Sequence, residues 1–292
     1  MQDQPIFITG SIRSGTTWLG EMLAFSKQTV SIYEPFSLNT GRFAFDELAK
    51  NWFSYAPSMP KEQAIKAFKK VINGKTELVF RRKQVQRYLP FTRHKRKIIK
   101  DPIACFSAPW LADHFNLRTV VIIRHPAAFA LSLKRVGWSF DFSNLWQQTG
   151  LWRHFPEQWQ LAMRKQPTDI VQQATLLWNC TYSFLLDACE QRPDWLLLRH
   201  EDLSLDPLQQ FQDLYQNLDL QWDKRVEKQI IAHTSGHLSS QPKLGQVHSL
   251  KRDSAASLER WKHELTAAEI TFILHETRDT AQRVYNDKDF FV

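Results

Sequence analysis

The segment PIFITGSIRSGTTWL, residues 5–19, constrains the fold of this chain more than any other stretch. Its apolar run Ile6-Phe7-Ile8 ends at Gly10, Gly15 follows five positions later, and Thr16 and Thr17 come directly after it. A strand, a glycine-bounded loop and a helix in that order form a phosphate loop, in which backbone N–H groups and the positive end of the helix face inward. The spacing nearly satisfies G-x-x-x-x-G-K-[ST], but Thr16 stands at the lysine position and the loop holds a different basic residue, Arg13. An arginine offers a planar, permanently charged fork to phosphate oxygens. The segment therefore predicts a βα turn built for an anion, without the lysine that a triphosphate needs.

The rest of the chain supports an α/β fold. Strand-like runs at 5–9, 29–33, 97–100, 119–123 and 195–199 are mostly apolar without alternation, as in a parallel sheet covered on both faces. Helical patterns occupy 15–26, 106–115, 127–137, 168–191, 206–217 and 266–284; Thr168 or Asp169 can cap the fourth, and Thr266 with Glu269 forms a capping box on the last. This alternation predicts an open, mainly parallel sheet flanked by helices. No linker divides residues 1–292, so a single domain is expected, with insertions at about 39–95 and 137–167 at the end of the sheet where ligands bind.

Three scattered cysteines show no metal-ligand spacing and read as reduced thiols, and the ten histidines show no zinc spacing. The start is polar and a strand follows at once, so neither a signal peptide nor a transit peptide is read and a cytoplasmic location is expected. A net charge of +8 favours anionic partners without choosing among them.

A nucleotide-hydrolysing phosphate loop also needs an Asp at the end of an apolar strand to hold Mg²⁺. The strand at 119–123 runs instead into Arg124-His125-Pro126. A cation there repels a metal and suits another phosphate. Ser132 lies eight residues after Arg124 on the helix that Pro126 opens, and can turn back toward it.

RSGTTWL together with the Arg124/Ser132 pair resembles the sulfotransferases that use 3′-phosphoadenosine 5′-phosphosulfate (PAPS). The resemblance covers most of the chain and implies a P-loop NTPase-like sulfotransferase fold, with PAPS as co-substrate, 3′-phosphoadenosine 5′-phosphate (PAP) as product, and no metal. It places Arg13, Ser14, Gly15, Thr16 and Thr17 on the 5′-phosphosulfate, Trp18 on adenine, and Arg124 and Ser132 on the 3′-phosphate. KRDSAASLERWKHELT (251–266) resembles the basic loop that reaches the 3′-phosphate, making Lys251 and Arg252 candidates beside a plain surface-charge reading. RHEDLSLDP (199–207) matches a segment after a late strand and reads mostly as structure.

The phenol and steroid branch uses a histidine in a Lys-Thr-His segment; the matching position here reads Lys100-Asp101-Pro102. Carbohydrate branches use a glutamate after the second strand, in some cases as Glu-Pro, and here Glu34 precedes Pro35. Pro35 biases Glu34 toward an extended backbone at a strand end facing the ligand crevice. Glu34 is thus the expected general base, with Asp101 as runner-up and a solvated loop glutamate as the plain alternative. Lys100 is a candidate for the transferring sulfuryl or bridging oxygen, or a surface lysine. The expected reaction moves the sulfuryl group of PAPS to an acceptor hydroxyl, less readily an amine, of a carbohydrate or glycolipid.

The basic run 81–100 reads as a solvated face, a groove for an anionic glycan, or a contact with an anionic membrane holding a lipid-linked acceptor. Trp138, Trp146, Trp152 and Trp159 read mainly as packing, with a minority free to stack on a sugar. Two rivals remain. A nucleotide kinase is opposed by Thr16 and Arg124. A non-catalytic polyanion-binding module is opposed by a nucleotide site combined with Glu34. No nucleic-acid partner is expected.

Overall fold

The computed structural model describes residues 4–38, 48–73, 94–234 and 258–291. Lys251, Arg252 and residues 81–93 of the basic run lie outside the described residues.

Five strands, β1 (Ile6–Gly10), β2 (Thr29–Tyr33), β3 (Arg96–Lys100), β4 (Arg118–Ile123) and β5 (Leu196–Arg199), form one parallel sheet in the order β2-β3-β1-β4-β5. The chain leaves β1 for β2 on one side and later crosses to β4 on the other, so the loop after β1 sits at the topological switch point. Strand geometry sends alternate residues to opposite faces. Ile6 and Ile8 of β1 therefore join one core, with Val120 and Ile122 of β4. Phe7 joins the other, with Ile99, Val121 and Ile123. Both faces are dry, which explains the unalternating apolar runs.

The first core is closed by α1 (Thr16–Leu23) and, after β5, by α9 (His200–Leu205), α10 (Pro207–Asn217) and α11 (Lys224–Thr234). The second is closed by α2 (Lys61–Ile72), α3 (Ala108–His114), α4 (Pro126–Val136) and α8 (Ile170–Gln191). The short α5 (Ser143–Trp146), α6 (Thr149–Trp152) and α7 (Glu157–Lys165) fold over its rim. The C-terminal α12 (Arg260–Glu264), α13 (Ala267–Ala281) and α14 (Asp287–Phe291) pack on α4, α8 and the region beyond β5.

Asp169 caps α8 by accepting from the Gln172 N–H at 2.9 Å, and Thr266 with Glu269 forms the expected capping box. Helix α2, inside the first insertion, was not foreseen. Its buried Ala64, Ala67, Phe68 and Val71 nonetheless follow an i, i+3, i+4, i+7 stripe. Helices α5 and α6 have four residues each, too few for any periodicity to show. Cys105 and Cys180 are buried and unbridged, and Cys189 is unbridged as well. Among the described residues no helix is long and apolar enough to cross a membrane.

His125 caps α4 with its ring. Nδ1 accepts from the Ala127 N–H at 3.3 Å, Nε2 reaches the Phe290 carbonyl at 3.2 Å, and the ring stacks on Trp261 at 4.8 Å. These partners require a neutral imidazole with its proton on Nε2. Burial pushes its pKa down to about 4; the Phe290 carbonyl opposes the shift, and Arg124, Arg199 and Lys262 add to it. The unfolded chain therefore takes up this proton first. The contribution is complete above about pH 6.5 and is lost as pH falls toward the folded value. In urea unfolding, the stability difference between wild type and His125→Gln is expected to shrink by about 3 kcal/mol between pH 6.5 and 4. A pH-independent difference would refute this assignment.

Candidate functional site

The loop between β1 and α1 is shaped by its backbone. Gly10 has φ 152°, Arg13 φ 62° and Gly15 φ 97°, an alternation of left- and right-handed residues that turns N–H groups into a concavity. A Cβ on Gly15 would lie 2.6 Å from His200 Cδ2, so glycine is needed where the loop meets α9. Beneath the loop, the Tyr182 hydroxyl of α8 lies 2.5 Å from Ser14 Oγ, 3.2 Å from Ser11 N and 3.1 Å from the Ile122 carbonyl. Burial pushes its phenol well above the usual range, so it remains a neutral brace. Ser14, expected on the ligand side of the loop, is fully buried: its hydroxyl meets this tyrosine and its N–H donates to the Ser11 carbonyl at 3.4 Å. Thr16 is buried at the start of α1 and Thr17 is half-buried beside it. Ser11 Oγ is buried without a hydrogen-bond partner among the described residues. The N–H-lined concavity, a neighbouring unsatisfied hydroxyl and the basic side chains around it suit an anion's oxygens.

Arg13 does not extend alone into the loop. Its Nε donates to Ser132 Oγ on α4 at 3.0 Å, and its carbonyl accepts from Arg124 Nη1 at 3.0 Å. The two phosphate signatures, more than a hundred residues apart in sequence, thus form one basic cluster. Arg124 is fixed from behind. Its carbonyl accepts from Trp178 Nε1 at 2.8 Å, and Glu201 takes the next N–H, that of His125, at 3.0 Å. The second Glu201 oxygen accepts from the Tyr285 hydroxyl at 3.0 Å. Burial raises the Glu201 pKa, while the His125 N–H and the Arg124 charge lower it. The HEDL segment is structural, as expected, but the structure it holds is the turn that presents Arg124.

Glu34 and Lys100 meet at the ends of β2 and β3, where Lys100 Nζ bonds Glu34 Oε1. Lys100 is 2% exposed and Glu34 34%, so the carboxylate opens to solvent while the ammonium is enclosed. That removes the surface-lysine reading. Glu34 is not extended as Pro35 led one to expect; it has φ 47°. Its N–H donates to the Lys100 carbonyl at 2.7 Å and its carbonyl accepts from Ser37 N at 3.0 Å. These bonds and the ion pair outweigh the local preference. Asp101 is fully buried. Its Oδ2 accepts from Phe36 N at 2.8 Å, and its Oδ1 from Ile103 N at 2.9 Å and Ala104 N at 3.2 Å. Burial, then the Glu34 charge, pushes its carboxyl up to about 7, against those N–H groups and Lys100. It ties the turn after β2 to the turn after β3.

Trp18 is half-buried beside the loop, tilted toward His200 at 5.5 Å and edge-on to Phe211 at 5.3 Å. Trp146 and Trp152 sandwich the Arg164 guanidinium at 4.1 and 5.3 Å, so both serve packing. Arg96, from the basic run, is buried and donates to backbone carbonyls of Gln4 and Leu218, so it is no part of a solvated face. A cavity of about 480 Å³ lies between α2 and the α5–α6 corner, with Asn51, Ser54, Tyr55, Gln63, Gln147 and Thr149 in its wall. Ser107 joins this wall to the turn that follows β3, accepting from Ala56 N at 2.8 Å and donating to the Ser54 carbonyl.

Ser11, Tyr182, His200 and Glu201 were not identified from sequence as parts of this site. The last two follow β5 directly, and their place beyond a strand's carboxyl end was the available signal. Tyr182, in mid-helix, offered none.

Comparison with known proteins bears on the family and the fold. Residues 5–224 match the model of the Sulfotransferase family. Carbohydrate sulfotransferase 1 of Danio rerio is 28% identical over 187 residues, 61% of this chain and 37% of that protein. The Mus musculus protein of the same name is 25% identical over 190 residues, 63% of this chain and 39% of that one. The matches thus span under half the length of these relatives. Among solved structures, the sulfotransferase domain of the Synechococcus PCC 7002 olefin synthase superposes with a TM-score of 0.52 at 18% identity, covering 98% of this chain and 96% of that domain. The sulfotransferase domain from the curacin biosynthetic pathway gives 0.53 at 17%, covering 96% and 97%. The fold is shared with these domains, and with three quarters of its length matched by the family model, the chain belongs to the sulfotransferase family.

Proposed function

We propose that this protein transfers the sulfuryl group of PAPS to a hydroxyl of a carbohydrate-class acceptor, with Glu34 as general base. One observation carries the reading: the Arg13–Ser132 bond unites the phosphate loop with the Arg124 helix into one cationic site at the switch point of the sheet. PAPS carries phosphate groups at both ends of its ribose, and this cluster offers a nest of N–H groups and two arginines to them. Trp18, beside the loop, offers a face for the base.

The acceptor oxygen forms a bond to sulfur as the bond from sulfur to the 5′-phosphate oxygen breaks, and its proton passes to Glu34. Protonation removes the anion that Lys100 pairs with. The enclosed ammonium is then a positive charge for the departing phosphate oxygen. The cavity beside α2 presents amides and hydroxyls of Asn51, Ser54, Gln63, Gln147 and Thr149 among apolar groups such as Leu48 and Met59, a mixed wall that can meet the hydroxyls and ring faces of a sugar. The carbohydrate sulfotransferases among the relatives support the same class.

Titration calorimetry is expected to show PAP binding in the presence of EDTA, unchanged by added Mg²⁺. Absence of binding, or binding only with Mg²⁺ and preference for ATP, would replace this reading with a kinase-type one. Salt-sensitive polyanion binding with no transfer to any glycan would favour a binding module.

A further inference from the structure

We infer that Tyr285 is a positioning residue for Arg124: acting through Glu201 it holds the turn after β4, and together with α14 it makes the C-terminal segment a support of the 3′-phosphate subsite. The inference rests on the PAPS reading above, with Arg124 at the 3′-phosphate, and adds to it a part of the chain beyond residue 224, where the family match ends.

A single peptide group joins Arg124 to His125, and it is held at both ends. Its oxygen, the Arg124 carbonyl, accepts from Trp178 Nε1 at 2.8 Å, and its N–H, that of His125, donates to Glu201 Oε1 at 3.0 Å. A planar group fixed at oxygen and nitrogen resists rotation, so the direction in which the Arg124 side chain leaves the backbone is set. Trp178 is fully buried in α8 and is a firm hold. Glu201 has a second oxygen to satisfy. The Tyr285 hydroxyl donates to that oxygen, Oε2, at 3.0 Å. Burial, then the Glu201 charge, pushes the Tyr285 phenol well above its usual range, so it stays a donor.

Tyr285 is itself fixed. Its N–H closes on the Ala281 carbonyl at 2.8 Å, at the end of α13. Its ring lies 4.7 Å from Arg199 Cζ and edge-on to the His125 ring at 5.7 Å. Arg199 ends β5 opposite Ile123, the residue before Arg124, and its Nη1 donates to Asp289 Oδ2 of α14 at 2.6 Å. The Phe290 carbonyl of α14 meets His125 Nε2, and Trp261 of α12 stacks on the same imidazole. Four C-terminal residues thus close on His125, Arg199 and Glu201, the groups around Arg124.

A binding side chain gives its full affinity when it is held in place before the ligand arrives. Without the Tyr285 hydroxyl, a buried carboxylate oxygen is short of a donor. Glu201 then shifts toward other donors, its hold on the His125 N–H weakens, and the peptide after Arg124 gains freedom. The cost falls on the 3′-phosphate, because the phosphate loop is braced separately by Tyr182.

Tyr285→Phe removes the hydroxyl and keeps the ring against Arg199 and His125. Calorimetry on the intact protein compares PAP with adenosine 5′-monophosphate, which lacks the 3′-phosphate. The variant is expected to bind PAP about tenfold more weakly than wild type and adenosine 5′-monophosphate within about twofold. The KM for PAPS should rise with kcat nearly unchanged. Amide hydrogen exchange should quicken at His125 more than at Ile8 of β1, whereas a general loosening would raise both alike. Asp289→Asn, which weakens the hold of α14 on Arg199 from the surface, should lower PAP affinity about threefold with the same selectivity, and it carries the test if Tyr285→Phe fails to fold. Unchanged PAP affinity in folded Tyr285→Phe, or an equal loss for both nucleotides, overturns the inference while the PAPS reading stands. Wild-type protein that binds neither nucleotide overturns the PAPS reading and this inference with it.

Discussion

Glu34→Gln is expected to lower kcat by about 10²- to 10⁴-fold while PAP affinity stays at its wild-type level. Glutamine keeps an oxygen that accepts from Lys100 but cannot take the acceptor's proton. It also leaves the enclosed Lys100 ammonium facing a neutral group, so some loss of thermal stability accompanies the substitution. Turnover should therefore be measured well below the unfolding transition, with PAP binding as the check on the fold. Asp101→Asn separates the two carboxylates. Its oxygen still accepts from a backbone N–H, and with no direct part in proton transfer, the folded fraction should retain turnover. Activity that survives in Glu34→Gln and disappears in folded Asp101→Asn would exchange the roles.

Gly10→Ala should destabilise the fold by more than about 3 kcal/mol. An added Cβ would sit 2.3 Å from the Ile122 carbonyl oxygen, a backbone atom of the paired strand that no rotamer change can move. The residue also has φ 152°, which a side chain rarely adopts. Relief requires β1 and β4 to part where Gly10 pairs with Ile122, beside the start of the phosphate loop. Chemical denaturation would show the loss as a lower midpoint. A midpoint within a few tenths of a molar of wild type would mean that the sheet adjusts at little cost.

The two predictions draw on information of different kinds. Gly10 was legible as a loop boundary from its spacing to Gly15, but the reason for glycine is a carbonyl more than a hundred residues away. Glu34 was legible as a strand-end carboxylate. Its left-handed backbone and its partner Lys100 were not, since proline at the next position argued for extension and the ion pair joins strands separated by an insertion.

The five parallel strands, the phosphate loop and the main helices were inscribed locally. Each depends on periodicity, caps and glycine spacing within about twenty residues, and the double-sided burial of the sheet left its mark as unbroken apolar runs. The amphipathic stripe of α2 was inscribed as well and went unread. What the tertiary structure alone decided is how the functional side chains are shared. Arg13 bonds Ser132 across 119 residues, and Tyr182 braces Ser14 across 168. Local sequence sets backbone geometry through short-range sterics and hydrogen bonds. It carries no comparable signal for which distant side chain a cation will meet once the sheet has folded. For that reason the sequence by itself determined that this chain carries a phosphate loop at the head of an α/β sheet, and only the fold decided that the loop's arginine bonds a serine on a distant helix.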